Sequence, residues 1–338
     1  MKRSLSLVLA LAMMVAVFSA TGCKPAQGPV KLGLGSVTSI ASSKDAAEGV
    51  TAVAQADTTI VAVALDKDGK ILDVRIDTAQ TKVNFNAEMA ITNDKSAAIK
   101  TKQELGFDYN MKNSSAIGKE WFEQIAAFEE WMKGKTVDEV KGLKVKEQGG
   151  HTDVPDIPEL TSSVTITVKD YIAALVKAAA NTVEVQNFNS LGLGAVVSIA
   201  SSKDATDTTT ALAQIDTNMA ATAFDKDGKV LGVILDVVQA KVPYDAEGKI
   251  TADKTKMPET KKELKEGYNM KGSSAIGKEW YEQAASFEEW MKGKKISEIT
   301  GLKLTDKAEP DIPELTSSVT ITVDTLIAAV KKSSDNKR

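Results

Sequence analysis

PDIPELTSSVTITV, from Pro155 to Val168, returns without change from Pro310 to Val323. A segment of this length carried twice means that the chain is built from two copies of one fold. The segment itself reads as a strand or loop turning into a helix, with Thr161, Ser162, Ser163 and Thr165 presenting hydroxyls at the turn. Ser and Thr are favoured at helix starts because their side chains accept from unpaired backbone N–H groups. A capped helix start is therefore one reading of the stretch, and a functional hydroxyl is the other.

Outward from it the duplication continues. Leu32-Gly-Leu-Gly35 returns as Leu191-Gly-Leu-Gly194, Asp66-Lys-Asp-Gly69 as Asp225-Lys-Asp-Gly228, and Gly118-Lys-Glu-Trp121 as Gly277-Lys-Glu-Trp280, each at an offset of 159. After Gly149-Gly150-His151, which the second copy lacks, the offset falls to 155 and Thr165 matches Thr320. Units of this length are tandem domains, since solenoid repeats run roughly 20 to 50 residues. The chain divides into a leader over residues 1–22, a tether over 23–30, a first unit over 31–182 and a second over 183–338.

Within a unit, Thr58 to Leu65 is β-branched and apolar, Asp66-Lys-Asp-Gly69 supplies turn chemistry, and Ile71 to Ile76 follows, which is the pattern of a β-hairpin. Asn218 to Phe224 and Val230 to Leu235 repeat it. The block from Tyr109 to Lys135 reads as a helix with Ser114 or Ser115 as its cap and with Trp121, Ile125, Phe128 and Met132 on one face. A second helix from Val168 to Ala179 turns Ile172, Leu175 and Ala179 inward. Each unit is thus expected to be an α+β domain, an antiparallel sheet covered by helices on one side.

Composition excludes several chemistries. The chain has one Cys, Cys23, and one His, His151, which has no counterpart in the second copy. A disulfide, a thiolate or haem site, a zinc site or a general-base His shared by both copies is ruled out. The formal charge of −4, or −6 without Lys2 and Arg3, argues against nucleic acid as a partner. The aromatic helix residues read first as core. Its entry is less ordinary, because Tyr109-Asn-Met111 and Tyr268-Asn-Met270 precede the small-residue turn SSAIG. Free N–H groups at a helix start, beside a Met and a Trp, suit a flat ligand with a hydrogen-bond-accepting edge. Met111, Ser115, Gly118 and Trp121, with Met270, Ser274, Gly277 and Trp280, are the candidate ring contacts.

Two resemblances sharpen this reading. Lys2 and Arg3, the apolar run Leu5 to Phe18, and Ala20-Thr-Gly-Cys23 resemble a secretion signal ending in the bacterial lipobox. That resemblance implies that Cys23 becomes a lipidated N-terminus, an anchor to the bilayer without a spanning helix. Glu159-Leu-Thr-Ser-Ser-Val-Thr165 resembles the flavinylation motif of the FMN-binding domain family, with Ser163, Val164 and Glu159 where Gly, Ala and Asp are usual. In that family a flavin transferase esterifies the phosphate of FMN to the last Thr. Carried over, Thr165 and Thr320 are the acceptors, Ser162 and Ser317 the motif serines, Ser163 and Ser318 their neighbours, and Glu159 and Glu314 the acidic residues. Thr161 and Thr167 are nearby hydroxyls open to the same role.

The lipobox, the two units and the YNM…SSAIGKEW block together look like the extracellular flavin-carrying lipoproteins of Gram-positive flavin-based electron transfer, the PplA-like group. The resemblance implies two covalent FMN per chain and a protein on the outer face of the cytoplasmic membrane. It would relay electrons from a membrane quinol-linked donor to extracellular acceptors such as ferric iron or free flavins. A helix N-terminus contributes about 0.3 to 1 kcal/mol to a nearby charge, some tens of millivolts for one electron. Two centres of similar potential, acting as a relay, are the expectation. A noncatalytic surface lipoprotein that binds a small ligand or a partner protein is the alternative, with TSSVT as a capping turn only. A reductase acting on a small organic acceptor is a third reading, without a substrate domain of convergent Arg and His to carry it.

Overall fold

Three long strands open each unit, held in register by a tight turn. In the computed structural model, which describes residues 28–338, the first unit runs β1 (Val30–Ser39), β2 (Val53–Leu65) and β3 (Ile71–Asn84). It continues with α1 (Lys102–Leu105), α2 (Trp121–Met132), α3 (Val137–Lys141), a small hairpin of β4 (Val145–Gln148) and β5 (His151–Pro155), α4 (Lys169–Ala180) and β6 (Thr182–Val185). The second unit runs β7 (Ser190–Ser198), β8 (Leu212–Phe224), β9 (Val230–Pro243), α5 (Lys261–Leu264), α6 (Trp280–Met291), α7 (Ile296–Thr300), α8 (Pro313–Thr316) and α9 (Asp324–Asp335). The α+β class expected from the sequence is the one adopted. The predicted leader and Cys23 lie outside the described residues. Among the described residues, no helix is long and apolar enough to cross a membrane.

The predicted hairpins form and are longer than the apolar runs alone. Asp66 makes the turn by accepting from the backbone N–H of Asp68 at 2.9 Å and of Lys70 at 2.8 Å, with Gly69 at φ +76°, a conformation that glycine adopts without penalty. The sheets are antiparallel, in the order β3-β2-β1-β6 and β7-β8-β9. β6 pairs with β1, Val183 opposite Leu32, and the backbone of Arg338 pairs with Leu191 in the matching place. The boundary read between residues 182 and 183 therefore falls inside a strand of the first sheet.

Alternation along the strands gives each sheet two apolar faces. Val61, Val63, Val74 and Ile76 face outward onto α2 and α4, where they join Ile125, Phe128 and Leu175. Leu32, Leu34, Ile60, Ala62 and Ala64 face the other way and join Leu191, Leu193, Met219 and Ala221 of the second sheet. Ala54, Phe85, Ala213 and Tyr244 extend this shared core toward the far end of the strands. The units are not separate beads. They pack sheet against sheet, with β1 over β9, β2 over β8 and β3 over β7, and one helical layer on each outer face.

The repeated Leu-Gly-Leu-Gly has its explanation here. Its leucines enter the core between the sheets, and its glycines let a helix lie on the strand. A Cβ on Gly33 or Gly35 would be driven into the backbone of α4 at Ala174 and Ala178, and one on Gly192 or Gly194 into α9 at Ala329 and Ser333.

Polar bonds across the units obey the same two-fold relation. Lys177 pairs with Glu263 at 2.6 Å and Lys332 with Glu104 at 2.5 Å, while Asp204 accepts from the N–H of Ile91 at 2.7 Å and Asp45 from that of Ile250 at 2.8 Å.

Two local expectations are corrected. The aromatic helix begins at Trp121 with Glu120 as its cap, so neither Ser114 nor Ser115 caps it. Met111 N–H and Lys112 N–H turn back onto the Glu120 carboxylate at 2.8 and 3.1 Å, which closes the chain into a loop before the helix. The face that α4 buries is Tyr171, Ala174, Leu175 and Ala178, with Ile172 and Ala179 at its margin.

Candidate functional site

The repeated TSSVT stretch forms a turn anchored from beneath by the buried side chains of Leu160 and Val164, whose counterparts are Leu315 and Val319. It does not cap the helix that follows. The caps of α4 and α9 are Val168 and Val323, which bear no hydroxyl, and neither makes a side-chain capping bond. Ser163 Oγ donates to the carbonyl of Leu160 at 3.2 Å, Thr161 Oγ1 to that of Pro158 at 3.4 Å, and Thr167 Oγ1 to that of Thr152 at 2.7 Å. Three hydroxyls are thus spent on backbone carbonyls. Ser162 and Ser317, like Glu159 and Glu314, are solvent-exposed on the turn.

Thr165 is held differently. Its backbone N–H donates to Gln124 Oε1 at 2.8 Å, and its hydroxyl lies 3.3 Å from the same oxygen. Gln124, fully buried on α2, donates through Nε2 to Ser115 Oγ at 3.1 Å and to the carbonyl of Lys119 at 3.4 Å. One amide therefore ties the TSSVT turn, the SSAIG turn and the aromatic helix together. In the second unit Gln283 makes the same bonds, to Thr320 N at 2.7 Å, Thr320 Oγ1 at 3.2 Å, Ser274 Oγ at 3.1 Å and the Lys278 carbonyl at 3.2 Å. Sequence reasoning missed this residue. Its one signal was that Glu-Trp-Phe-Glu-Gln124 returns as Glu-Trp-Tyr-Glu-Gln283, a repetition the glutamine shares with Glu120, Trp121 and Glu123.

In the first unit these residues border a cleft of about 480 Å³. Thr165 and Gln124 stand on one side, with Tyr109, Met111, Ser115 and Ile166 around them. The β4–β5 hairpin adds Gln148, Gly149 and His151. His151 thus belongs to this site after all, although the second unit has nothing equivalent. Asn110, at φ +57°, turns the chain into the cleft; Asn269 does so at φ +58° in the second unit, and Asn tolerates that left-handed conformation better than most residues.

Of the predicted ring contacts, the structure brings Met111 and Ser115 together with Thr165, and it does not bring Gly118 or Trp121 to the cleft. Gly118 closes the SSAIG turn at φ +63°. Trp121 is core: its indole N–H donates to Tyr171 Oη at 2.9 Å, and burial pushes the Tyr171 phenol up to about 12. Trp280 is buried likewise. Gly277 repeats the turn of Gly118 at φ +64°, Ser274 repeats Ser115, and Met270 packs against the core beneath its turn. Most of the N–H groups that the sequence promised at this turn are spent within it: those of Ser114, Ser115 and Gly118 bond backward to the carbonyls of Met111, Lys112 and Ser115, and that of Ile117 donates to Ser115 Oγ.

A lysine lies over the aromatic rings of each unit. Lys102 Nζ lies 4.7 Å from the Tyr109 ring centroid and 5.6 Å from that of Trp121, and Lys261 repeats this over Tyr268 at 4.7 Å and Trp280 at 5.2 Å, within the range of cation–π attraction. The site offers one oriented hydroxyl, apolar surface from Met111, Tyr109 and Ile166, and amide and imidazole groups at the rim. Such a mixture suits a flat, partly polar ligand tethered at one end.

No family model matches the chain, and no solved structure matches it. A chlorophenol reductase of Desulfitobacterium hafniense is 37% identical to it over 91 residues, which are 23% of this chain and 28% of that protein. The shared stretch spans little more than a quarter of that relative, and what it is similar to is a protein named for a redox reaction.

Proposed function

We propose that the chain is a lipid-anchored electron-transfer flavoprotein carrying one FMN per unit, joined through its phosphate to Thr165 and to Thr320. The observation that carries this reading is the Gln–Thr–Ser arrangement, built twice with matching partners, around a hydroxyl that no helix cap uses. The first cleft is of a size that fits: small-molecule sites run about 300 to 1,000 Å³, and this one is about 480 Å³. FMN, when bound, would supply the electron chemistry, as organic cofactors generally do. The chain's part is to hold, orient and shield. Gln124 and Gln283 fix the threonine backbone and aim its hydroxyl. Met111, Tyr109 and Ile166 offer apolar contact in the first unit, and Gln148 and His151 offer hydrogen-bonding groups to a ring edge.

The proposed partners follow from this role. A flavin transferase loads the threonines, a membrane quinol-linked donor reduces the protein, and extracellular acceptors such as ferric iron or free flavins oxidise it. Cys23 holds the chain to the bilayer on the outer face of the membrane. The partial likeness to a reductase supports a redox role and leaves the substrate of that relative its own.

The test is the absorbance and fluorescence of protein produced together with a flavin transferase. Flavin colour should remain with the polypeptide after denaturation and gel filtration. Colourless protein, or colour that separates from the denatured chain, would reject the reading in favour of a noncatalytic surface lipoprotein.

A further inference from the structure

The two threonines lie on opposite outer faces of the molecule. Thr165 is bonded to Gln124 of α2, which packs on the face of the first sheet that carries Val61, Val63 and Ile76. Thr320 is bonded to Gln283 of α6, which packs on the matching face of the second sheet with Val233 and Leu235. Between these faces stand both sheets and the core they share, Leu32, Ile60, Ala62, Met219, Ala221 and Ile234. Face-to-face sheets lie about 10 Å apart, and a helix with its side chains is about 10 to 12 Å across. The axes of the two helical layers are therefore about 30 Å apart, with both sheets and their shared core between them.

Electron tunnelling decays exponentially with distance, and among the described residues the buried members of the inter-sheet core are non-aromatic apart from Phe85 and Tyr244, with Phe188 at its margin. Phe85 and Tyr244 form an edge-on pair at 5.1 Å, but they stand together at one end of the inter-sheet core and do not line the first cleft. The two-fold relation also puts α2 over β3 and α6 over β9, strands that lie at opposite edges of the stack, so the two aromatic helices do not meet across a shared edge.

The geometry points to two parallel carriers in place of a series relay: each threonine-bound flavin takes and gives electrons at its own face, independently of the other. This rests on the attachment of FMN proposed above. It replaces the internal relay that the duplicated sequence first invites. Duplication then serves to double the number of working faces on one anchor, so that a donor or acceptor meets a usable site from either side.

Two experiments test it. In full-length protein with Cys23 replaced by Ser, nitroxide labels on Thr165→Cys and Thr320→Cys report the separation by pulsed electron resonance, independently of flavin loading. A distance beyond about 20 Å is expected from two intervening layers, and a shorter one overturns the proposal. In intact cells reducing ferric iron, Thr165→Val and Thr320→Val should each retain a substantial share of the wild-type rate, about half if the sites are equal and independent, with loss only in the double variant. Complete loss in either single variant marks a series relay and overturns it. Absence of FMN mass from the wild-type chain instead shows that the attachment reading has failed, while the label distance still judges the geometry.

Discussion

At the scale of single residues, the site turns on an amide whose inward orientation the helical pattern hides. A glutamine on an amphipathic helix reads as surface, and only the fold shows Gln124 and Gln283 turned inward onto the threonine and serine of two other segments. Gln124→Ala should leave the Thr165 N–H without its acceptor, lower stability by about 1 to 3 kcal/mol, and reduce flavin loading at Thr165 while Thr320 loads normally. Denaturant titration and site-resolved peptide mass measure both effects. Among the five hydroxyls that each copy of the repeated segment carries, only the resemblance to a flavinylation motif singled out Thr165 and Thr320, and the fold distinguishes them by the bonds their backbone N–H groups donate to Gln124 and Gln283. Trp121 was misread: beside a ligand-like turn it resembles a stacking partner, but its N–H is satisfied in the core by Tyr171. Glu129 is a second inward residue. It accepts from the N–H of Ile76 on the edge strand β3 at 2.7 Å, and burial raises its carboxyl to about 7. A raised carboxylate favours the protonated form in the fold, so its contribution is present below its ordinary value and lost as pH climbs through about 7. Glu129→Gln should flatten the loss of stability between about pH 4.5 and 8, by on the order of 1 to 3 kcal/mol, as read by thermal unfolding across pH.

At the scale of elements, the Asp-Lys-Asp-Gly turns and the strands beside them were readable because turn chemistry and β-branched alternation are local. The start of the aromatic helix was not. Ser114 and Ser115 have the composition of a cap, but Glu120 competes for that place and accepts from Met111 and Lys112 as well, so the serines are left in a turn before the helix. The Leu-Gly-Leu-Gly repeat was visible and its purpose hidden, since a glycine that admits a helix backbone cannot be told from a glycine that bends a strand. Gly35→Ala should push α4 off β1 and destabilise the protein by about 1 to 3 kcal/mol or more, with Gly194→Ala doing the same through α9. Wild-type stability in either variant would contradict the close approach seen at Ala174 and Ala329. The β4–β5 hairpin marks the one large difference between the units, and the insertion that the sequence showed as a shift of offset is the wall that brings His151 to the first cleft.

At the scale of the whole molecule, two-fold duplication produced one body with a shared core between the sheets, which a reading unit by unit does not reveal. Each sheet alone would expose a broad aliphatic face, a condition that soluble monomers avoid. The chain should therefore unfold in one cooperative transition by calorimetry. Ala62→Arg, which places a charge between the sheets, should cost more than about 3 kcal/mol and separate the two units; two independent transitions in the unaltered chain would refute the shared core. The same architecture presents one threonine on each outer face, and the account stands or falls on what those threonines carry. The most direct measurement is the mass of the chain produced with a flavin transferase, alongside Thr165→Ala, Thr320→Ala and the double variant. Two FMN adducts are predicted in the wild type, one in each single variant and none in the double; an unmodified wild-type chain, or a double variant that keeps both adducts, would contradict the account.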